Sequence, residues 1–310
     1  MSLDKYNHKK VENEIYSYWE KNKALIFGGS GFLGGHLSDF LINKGFDVTI
    51  YDLKKKNIIS KKVKFIKGNI VDKLKIKKIT KNFDYIFNFA GISDIEQANE
   101  KPIETINQNF LGTVNILESI KLNRKIKRFV FASSIYAISN QGEFYSSTKR
   151  ACENIIQNYA KKYGIKFSIL RYGSIYGTRA NKLNAIYNFI YQGVKKKIII
   201  RKGLGNELRN YINAKDAAKI TYKILKKQYE NKYINIVGKE KTKVKNVINI
   251  ISKKLKVKKV IYKKNLIFKY HYNRNPYSYK IENGITKKPK KPINFLSGLE
   301  EIINEIKKKN

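Results

Sequence analysis

The stretch Ala24-Leu25-Ile26-Phe27-Gly28-Gly29-Ser30-Gly31-Phe32-Leu33-Gly34-Gly35-His36-Leu37 decides the fold. A short apolar run enters a cluster of glycines and an amphipathic segment leaves it. That is the pattern of a buried strand, a tight turn and a helix whose N-terminus faces a phosphate. Glycine is needed where the backbone turns sharply and comes close to a ligand, because a Cβ would stand in the way. Two registers are open: Gly29, Gly31 and Gly34 match G-x-G-x-x-G, while Gly28, Gly31 and Gly34 match G-x-x-G-x-x-G. Glycine clusters also occur in ordinary turns, so the remainder of the chain must say what this one holds.

Working outward, Phe32, Leu33, Leu37, Phe40 and Leu41 recur with a helical period, and Gly45 lies beyond the helix end. Val48 to Tyr51 reads as a strand ending at Asp52. A carboxylate there can accept hydrogen bonds from the adenosine ribose and repels a 2′-phosphate, which favours NAD over NADP. Lys54, Lys55 and Lys56 pull the other way. Further strands are expected at 63–66, 83–90, 128–132 (running into Ser133-Ser134) and 167–170. Helices are expected from Pro102 onward and over 145–163, the latter closed by Gly164. The alternation predicts an α/β fold, a Rossmann-type doubly wound parallel sheet.

Beyond Gly177 the alternation loosens into helices near 182–193, 215–228 and 243–255 and a strand over 233–237. A smaller C-terminal substrate-binding domain is expected over 178–310, after a cofactor domain over 23–177 with return segments near 211–238. Residues 1–22 are polar, with Ile15, Tyr16 and Trp19 at near-helical spacing. They are expected to be either a helical extension packed on the body or a contact for a partner subunit.

Composition narrows the function classes. The 310 residues have no run as long as a transmembrane helix, and the charged start is not a signal peptide, so a cytoplasmic protein without membrane insertion is expected. Cys152 is the single cysteine and the three histidines are scattered, so neither a disulfide nor a metal centre is expected. The net charge is +41, yet 57 of the 65 basic residues are lysines spread along the whole chain. Nucleic-acid readers concentrate arginine on one face. The excess reads as compositional drift and not as specific nucleic-acid binding, although it draws anionic substrates toward the surface.

Chemistry enters with Tyr145-Ser146-Ser147-Thr148-Lys149. Residues i and i+4 share a helix face, so a phenol and an ammonium can serve one site. The ammonium, and the positive ring of an oxidised nicotinamide, stabilise phenolate and bring a pKa of about 10 toward neutrality. Such a phenolate takes a proton from a sugar hydroxyl as hydride leaves the same carbon. The pair follows Ser133-Ser134 at a strand end bordering the cofactor crevice, where a serine hydroxyl can hold the substrate oxygen. Asn109 could orient Lys149 through a water.

These motifs, in this order, resemble the extended short-chain dehydrogenase/reductases, specifically the nucleotide-sugar (NAD-dependent) epimerase/dehydratase family. The resemblance runs from about Ala24 to the C-terminus. It includes Asn109-Phe110-Leu111-Gly112-Thr113-Val114-Asn115, Leu170 to Gly177, Arg209-Asn210-Tyr211-Ile212 and Leu296 to Glu300. It implies Tyr145 as base, Lys149 also holding the nicotinamide ribose, Ser134 on the sugar oxygen, and Arg209 and Arg274 on the substrate diphosphate. Gly28, Gly31, Phe32, Leu33, Gly34, Asp52, Asn69, Ile70, Ala90 and Gly91 are implied as the rest of the NAD site. Asp216 is expected to cap a helix. Asn69 stands where the family usually has Asp, and only 11 positions separate Ser134 from Tyr145, so the loop roofing the sugar is trimmed. Ile135-Tyr136 replaces the Asp-Glu pair of 4,6-dehydratases, which argues against a dehydratase. The resemblance implies a homodimeric nucleotide-sugar 4-epimerase of surface polysaccharide biosynthesis. A 4-dehydrogenase or 4-keto reductase with the same site is the alternative, and a non-catalytic RNA-binding or scaffold protein is the rival of another class.

Overall fold

The computed structural model describes residues 21–58, 60–263, 271–274, 276 and 284–309; residues 1–20 of the expected N-terminal extension lie outside them. The glycine stretch forms β1 (Lys23–Phe27), a turn and α1 (Phe32–Ile42). There follow β2 (Asp47–Asp52), β3 (Lys64–Lys67), α2 (Lys73–Ile79), β4 (Tyr85–Asn88) and α3 (Ile95–Glu100). Next come α4 (Pro102–Thr105), a π-helical stretch (Ile106–Leu111), α5 (Gly112–Ile120), β5 (Arg128–Ser134), α6 (Glu143–Tyr163) and β6 (Phe167–Tyr172).

β1 is apolar along its length because both of its faces are covered. Ala24 and Ile26 point into one core, with Leu37 and Leu41 of α1 and Ala217 and Ile220 further on. Leu25 and Phe27 point into the other, with Ile76 of α2, Ile116 and Leu117 of α5, and Cys152 and Ile156 of α6. The fourth strand is shorter than the expected 83–90: Phe89 N still donates to Phe27 O of β1 at 2.8 Å, and from there the chain enters the crevice. The helix expected from Pro102 is interrupted by the π-helical stretch, which carries Asn109; such insertions re-aim side chains and cluster at functional sites.

Beyond β6 lie β7 (Ser174–Tyr176), α7 (Ala185–Lys196), β8 (Ile198–Lys202), β9 (Leu208–Asn213), α8 (Ala214–Lys223) and β10 (Lys232–Ile236). The chain closes with β11 (Lys241–Lys243), α9 (Val244–Leu255), β12 (Lys259–Lys263), β13 (Ile285–Lys287) and α10 (Phe295–Lys308). Among the described residues the main sheet has eight parallel strands in the order 13-10-6-5-4-1-2-3. The strand order reverses beside β1, and ligands lie outside the carboxyl ends of the strands at such a point. A third core, of α7, α9 and α10 side chains such as Ile190, Ile248 and Ile302, makes a smaller lobe beside that edge. Asp216 does not cap α8. Asn213 does, accepting from Lys215 N, while Asp216 accepts from Ile293 N at 2.8 Å and ties down the approach to α10.

Candidate active site

A cavity of about 610 Å³ opens at the strand-order reversal, lined by Gly28, Gly31, Phe32, Leu33 and Gly34 at one end and Ser134, Tyr145 and Lys149 at the other. Gly28 sits at φ +72°, and a Cβ on Gly34 would lie 2.4 Å from Gly28 O, so the turn closes on its own backbone. Gly31 begins α1 with no side-chain cap. The N–H groups of the first helical turn therefore face the cavity as an anion cradle. Gly29 also lacks room for a Cβ, but against Ile50 of the core, and it does not line the cavity.

Asp52, at the end of β2, also lines the cavity. Its carboxylate accepts from Ser30 N at 2.9 Å and Leu53 N at 2.7 Å, and burial pushes its pKa up against those hydrogen bonds. Lys54, Lys55 and Lys56 are exposed and are not among the lining residues. The cradle, the carboxylate and the strand-order reversal fit a dinucleotide with a free 2′-hydroxyl. Ile70, Ala90 and Gly91 line the middle of the cavity. Asn69 does not: its amide oxygen accepts from Val71 N at 3.2 Å in a local turn.

At the other end, three consecutive residues of β5 each hold a residue of α6 one turn further along. Ser134 lies beside the Tyr145 phenol, Lys149 Nζ donates to Ala132 O at 2.8 Å, and Ser133 Oγ donates to Glu153 Oε1 at 2.6 Å. Positions 145, 149 and 153 recur every four residues, so one helix face meets one strand end. Ser133 is thus turned onto the buried Glu153–Arg171 pair, and Ser134 is the serine beside the phenol.

Burial pushes the Tyr145 phenol up and the Lys149 ammonium down; the neighbouring Ser134 hydroxyl opposes the first, and Cys152 and Glu153 oppose the second. Lys149 Nζ stands 5.9 Å from the Tyr145 ring centre and 4.9 Å from that of Phe131. A cation brought into the cavity would favour phenolate.

Asn109 is placed otherwise than the sequence suggested. Its amide exchanges two hydrogen bonds with the Ile92 backbone, at 2.7 and 3.0 Å, and donates to Thr148 Oγ1 at 3.2 Å. It fixes the loop after β4, where Gly91 at φ +136° passes so close that a Cβ would meet Asn109 Oδ1 at 2.4 Å. Arg209, on β9, lies outside the cavity lining, with its guanidinium 4.1 Å from the Tyr272 ring centre and Nη1 donating to Leu208 O at 2.8 Å. Arg274 is exposed, two residues after Tyr272.

Sequence reasoning missed Tyr136 as a site neighbour. It packs edge-on to Tyr145, with ring centres 6.4 Å apart, and its hydroxyl meets His271 Nδ1 at 2.7 Å. Gln97, Tyr172, Gly173 and Asn184 also line the cavity. Tyr172 and Gly173 could have been found by extending β6 to its carboxyl end, but Gln97 and Asn184 arrive from loops and helices with no spacing signal.

The model of the NAD dependent epimerase/dehydratase family matches residues 24–238. A putative UDP-glucose 4-epimerase of Methanocaldococcus jannaschii is 32% identical over 248 residues, covering 73% of this chain and 80% of that protein. In structure the chain is similar to a Thermotoga maritima UDP-glucose 4-epimerase bound to UDP-glucose (TM-score 0.82, 21% identity, 93% of this chain and 99% of that one). It is also similar to a Bacillus cereus UDP-glucuronic acid 4-epimerase holding UDP-glucuronic acid and NAD (TM-score 0.80, 22% identity, 93% and 100%). With the glycine cradle, Asp52 and the Tyr145–Lys149 helix face on one crevice, and with this match, the chain belongs to the NAD-dependent epimerase/dehydratase family.

Proposed function

We propose that this protein is a nucleotide-sugar 4-epimerase that oxidises C4 of the sugar and reduces it again from the opposite face. The observation that carries the reading is the convergence of Ser134, Tyr145 and Lys149 on the cavity that the glycine turn opens. Bound NAD supplies a hydride acceptor and donor. Tyr145 takes the proton of the C4 hydroxyl and later returns it. Ser134 holds that oxygen and shares its hydrogen bond with the phenol. Lys149, fixed by Ala132 O, keeps a positive charge under the phenol and the ribose. Gly28, Gly31 and Gly34 admit the diphosphate of the cofactor, and Asp52 accepts from its ribose. Arg209 and Arg274 grip the diphosphate of the nucleotide sugar, where a planar fork suits phosphate geometry. The proposed division of labour gives residues 23–177, with the return near 211–238, to the cofactor and 178–310 to the sugar.

The relatives' names favour UDP-sugars among substrates; that the product serves surface polysaccharide synthesis is part of our proposal. Incubation with a panel of UDP-sugars and a trace of NAD should give the C4 epimer by proton NMR. Tyr145→Phe should abolish turnover and leave NADH binding nearly intact. Conversion that stops once the trace of NAD is reduced, and that with excess NAD yields NADH in proportion to sugar consumed, would replace the epimerase reading with the dehydrogenase one.

We also propose a homodimer that pairs the Pro102–Ile120 segment and α6 of each copy. In support, Ile103 is 74% exposed, Leu111 45% and Phe144 43%, all on these elements. An apolar face of that kind marks a contact surface.

A further inference from the structure

The segment that follows Asp52 is a strap over the rim of the cofactor crevice, fastened at two points. At the first, Ser30 of the glycine turn donates from Oγ to Lys56 O at 2.6 Å and accepts from Lys56 N at the same oxygen. At the second, Asn57 Nδ2 donates to Arg179 O at 3.3 Å and Arg179 Nη1 donates to Asn57 O at 3.2 Å. Both partners hold left-handed backbone conformations, φ +49° at Asn57, which asparagine adopts readily, and +65° at Arg179, where a long side chain is uncommon.

Arg179 lies just past β7, where the chain leaves the main sheet for the smaller lobe. Its other guanidinium nitrogen pairs with Asp39 of α1, and its backbone N–H donates to Glu305 Oε2 of α10 at 2.7 Å. The strap connects directly to the cofactor carboxylate. Leu53 N and Ser30 N fix the two oxygens of Asp52, and Ser30 is the residue that Lys56 engages. Releasing Asn57 therefore frees the strap and loosens both anchors of the Asp52 carboxylate.

We propose that Arg179 is a positioning residue, the clasp that holds the 53–57 strap closed and so keeps NAD in the crevice between turnovers. It makes cofactor retention depend on a residue of the lobe side. The role requires no sugar chemistry, so its test is independent of the proposed epimerase activity.

The experiment measures NADH dissociation from the full-length protein, without sugar, by loss of bound-NADH fluorescence on adding excess NAD. Arg179→Gln should accelerate dissociation roughly tenfold or more, the scale expected for losing charge-assisted hydrogen bonds. Asn57→Gly suits the positive φ and keeps the backbone oxygen but loses the side-chain bond; it should give a smaller acceleration, about threefold. Glu305→Gln touches Arg179 only at its backbone N–H and should change the rate less than about twofold. Wild-type dissociation in both the Arg179 and Asn57 variants overturns the proposal. So does equal acceleration by the Arg179 and Glu305 variants, which would mark general loosening. Should Arg179→Gln fail to fold, the Asn57 variant decides alone.

Discussion

Glu153 of α6 and Arg171 of β6 are 1% and 0% exposed, and they share two charge-assisted hydrogen bonds, at 2.9 and 2.6 Å. Glu153→Gln keeps the side-chain shape and an acceptor for Ser133 Oγ but leaves the Arg171 guanidinium buried without its counter-charge. Breaking a buried pair from one side costs about 3–5 kcal/mol, because the remaining charge has been taken out of water uncompensated. At roughly 2–4 °C per kcal/mol, the scale for chains somewhat shorter than this one, the melting temperature should fall by on the order of 10 °C. Replacing both partners, as Glu153→Leu with Arg171→Leu, removes the orphaned charge. It should recover most of the loss, leaving about 1–3 kcal/mol for the unpaired Ser133 hydroxyl. Urea unfolding at pH 7 of wild type, both single variants and the double variant measures the four corners of the cycle. A single-variant loss below about 1 kcal/mol, or a double variant as unstable as the sum of its singles, would refute the reasoning. The Gln variant has a second expected signature. Glu153 helps hold the proton on Lys149, so its neutralisation should move Lys149 deprotonation to lower pH.

The other expectations are more direct. Gly34→Ala puts a methyl 2.4 Å from Gly28 O and must push α1 away from the turn, so NADH affinity by fluorescence titration should fall at least about tenfold; unchanged affinity would contradict the cradle. His271 is held neutral, its pKa lowered by burial to about 4. Its folded value lies below its unfolded one, so its contribution to stability is present above pH 6.5 and lost as pH falls toward 4. Urea midpoints should therefore drop across that window in wild type and less in His271→Gln; parallel pH curves would count against it. Ile103→Asp, placed on the proposed dimer face, should shift the protein to a monomer in light scattering, and an unaltered mass would exclude that face.

Much of the fold was legible in the chain because it rests on local rules. The apolar run Ala24–Phe27, the glycines and the acidic strand end at Asp52 dictate strand, turn and helix through backbone sterics and two-faced burial. The four-residue spacing of Tyr145 and Lys149 puts both on one helix face whatever lies around them. Boundaries were less legible. β4 ends at Asn88 and not Ala90 because the crevice takes the next residues, and the π-helical stretch around Asn109 leaves no mark in apolar periodicity. β8, β9 and β12 went unread because their pairing is set by partners far along the chain.

What the sequence by itself determined is a dinucleotide cradle and a tyrosine and lysine on one helix face, since each is written in neighbouring residues. What only the tertiary structure decided is which side chains face each other across the crevice. Ser133 turns to the buried Glu153–Arg171 pair while Ser134 meets Tyr145, Asn109 holds the Ile92 backbone instead of reaching toward Lys149, and Arg179 fastens the strap beside Asp52. The glycine turn could be read from 14 consecutive letters. The clasp joins positions 122 residues apart, and such a contact follows from how strands and helices pack, for which no local spacing supplies a rule.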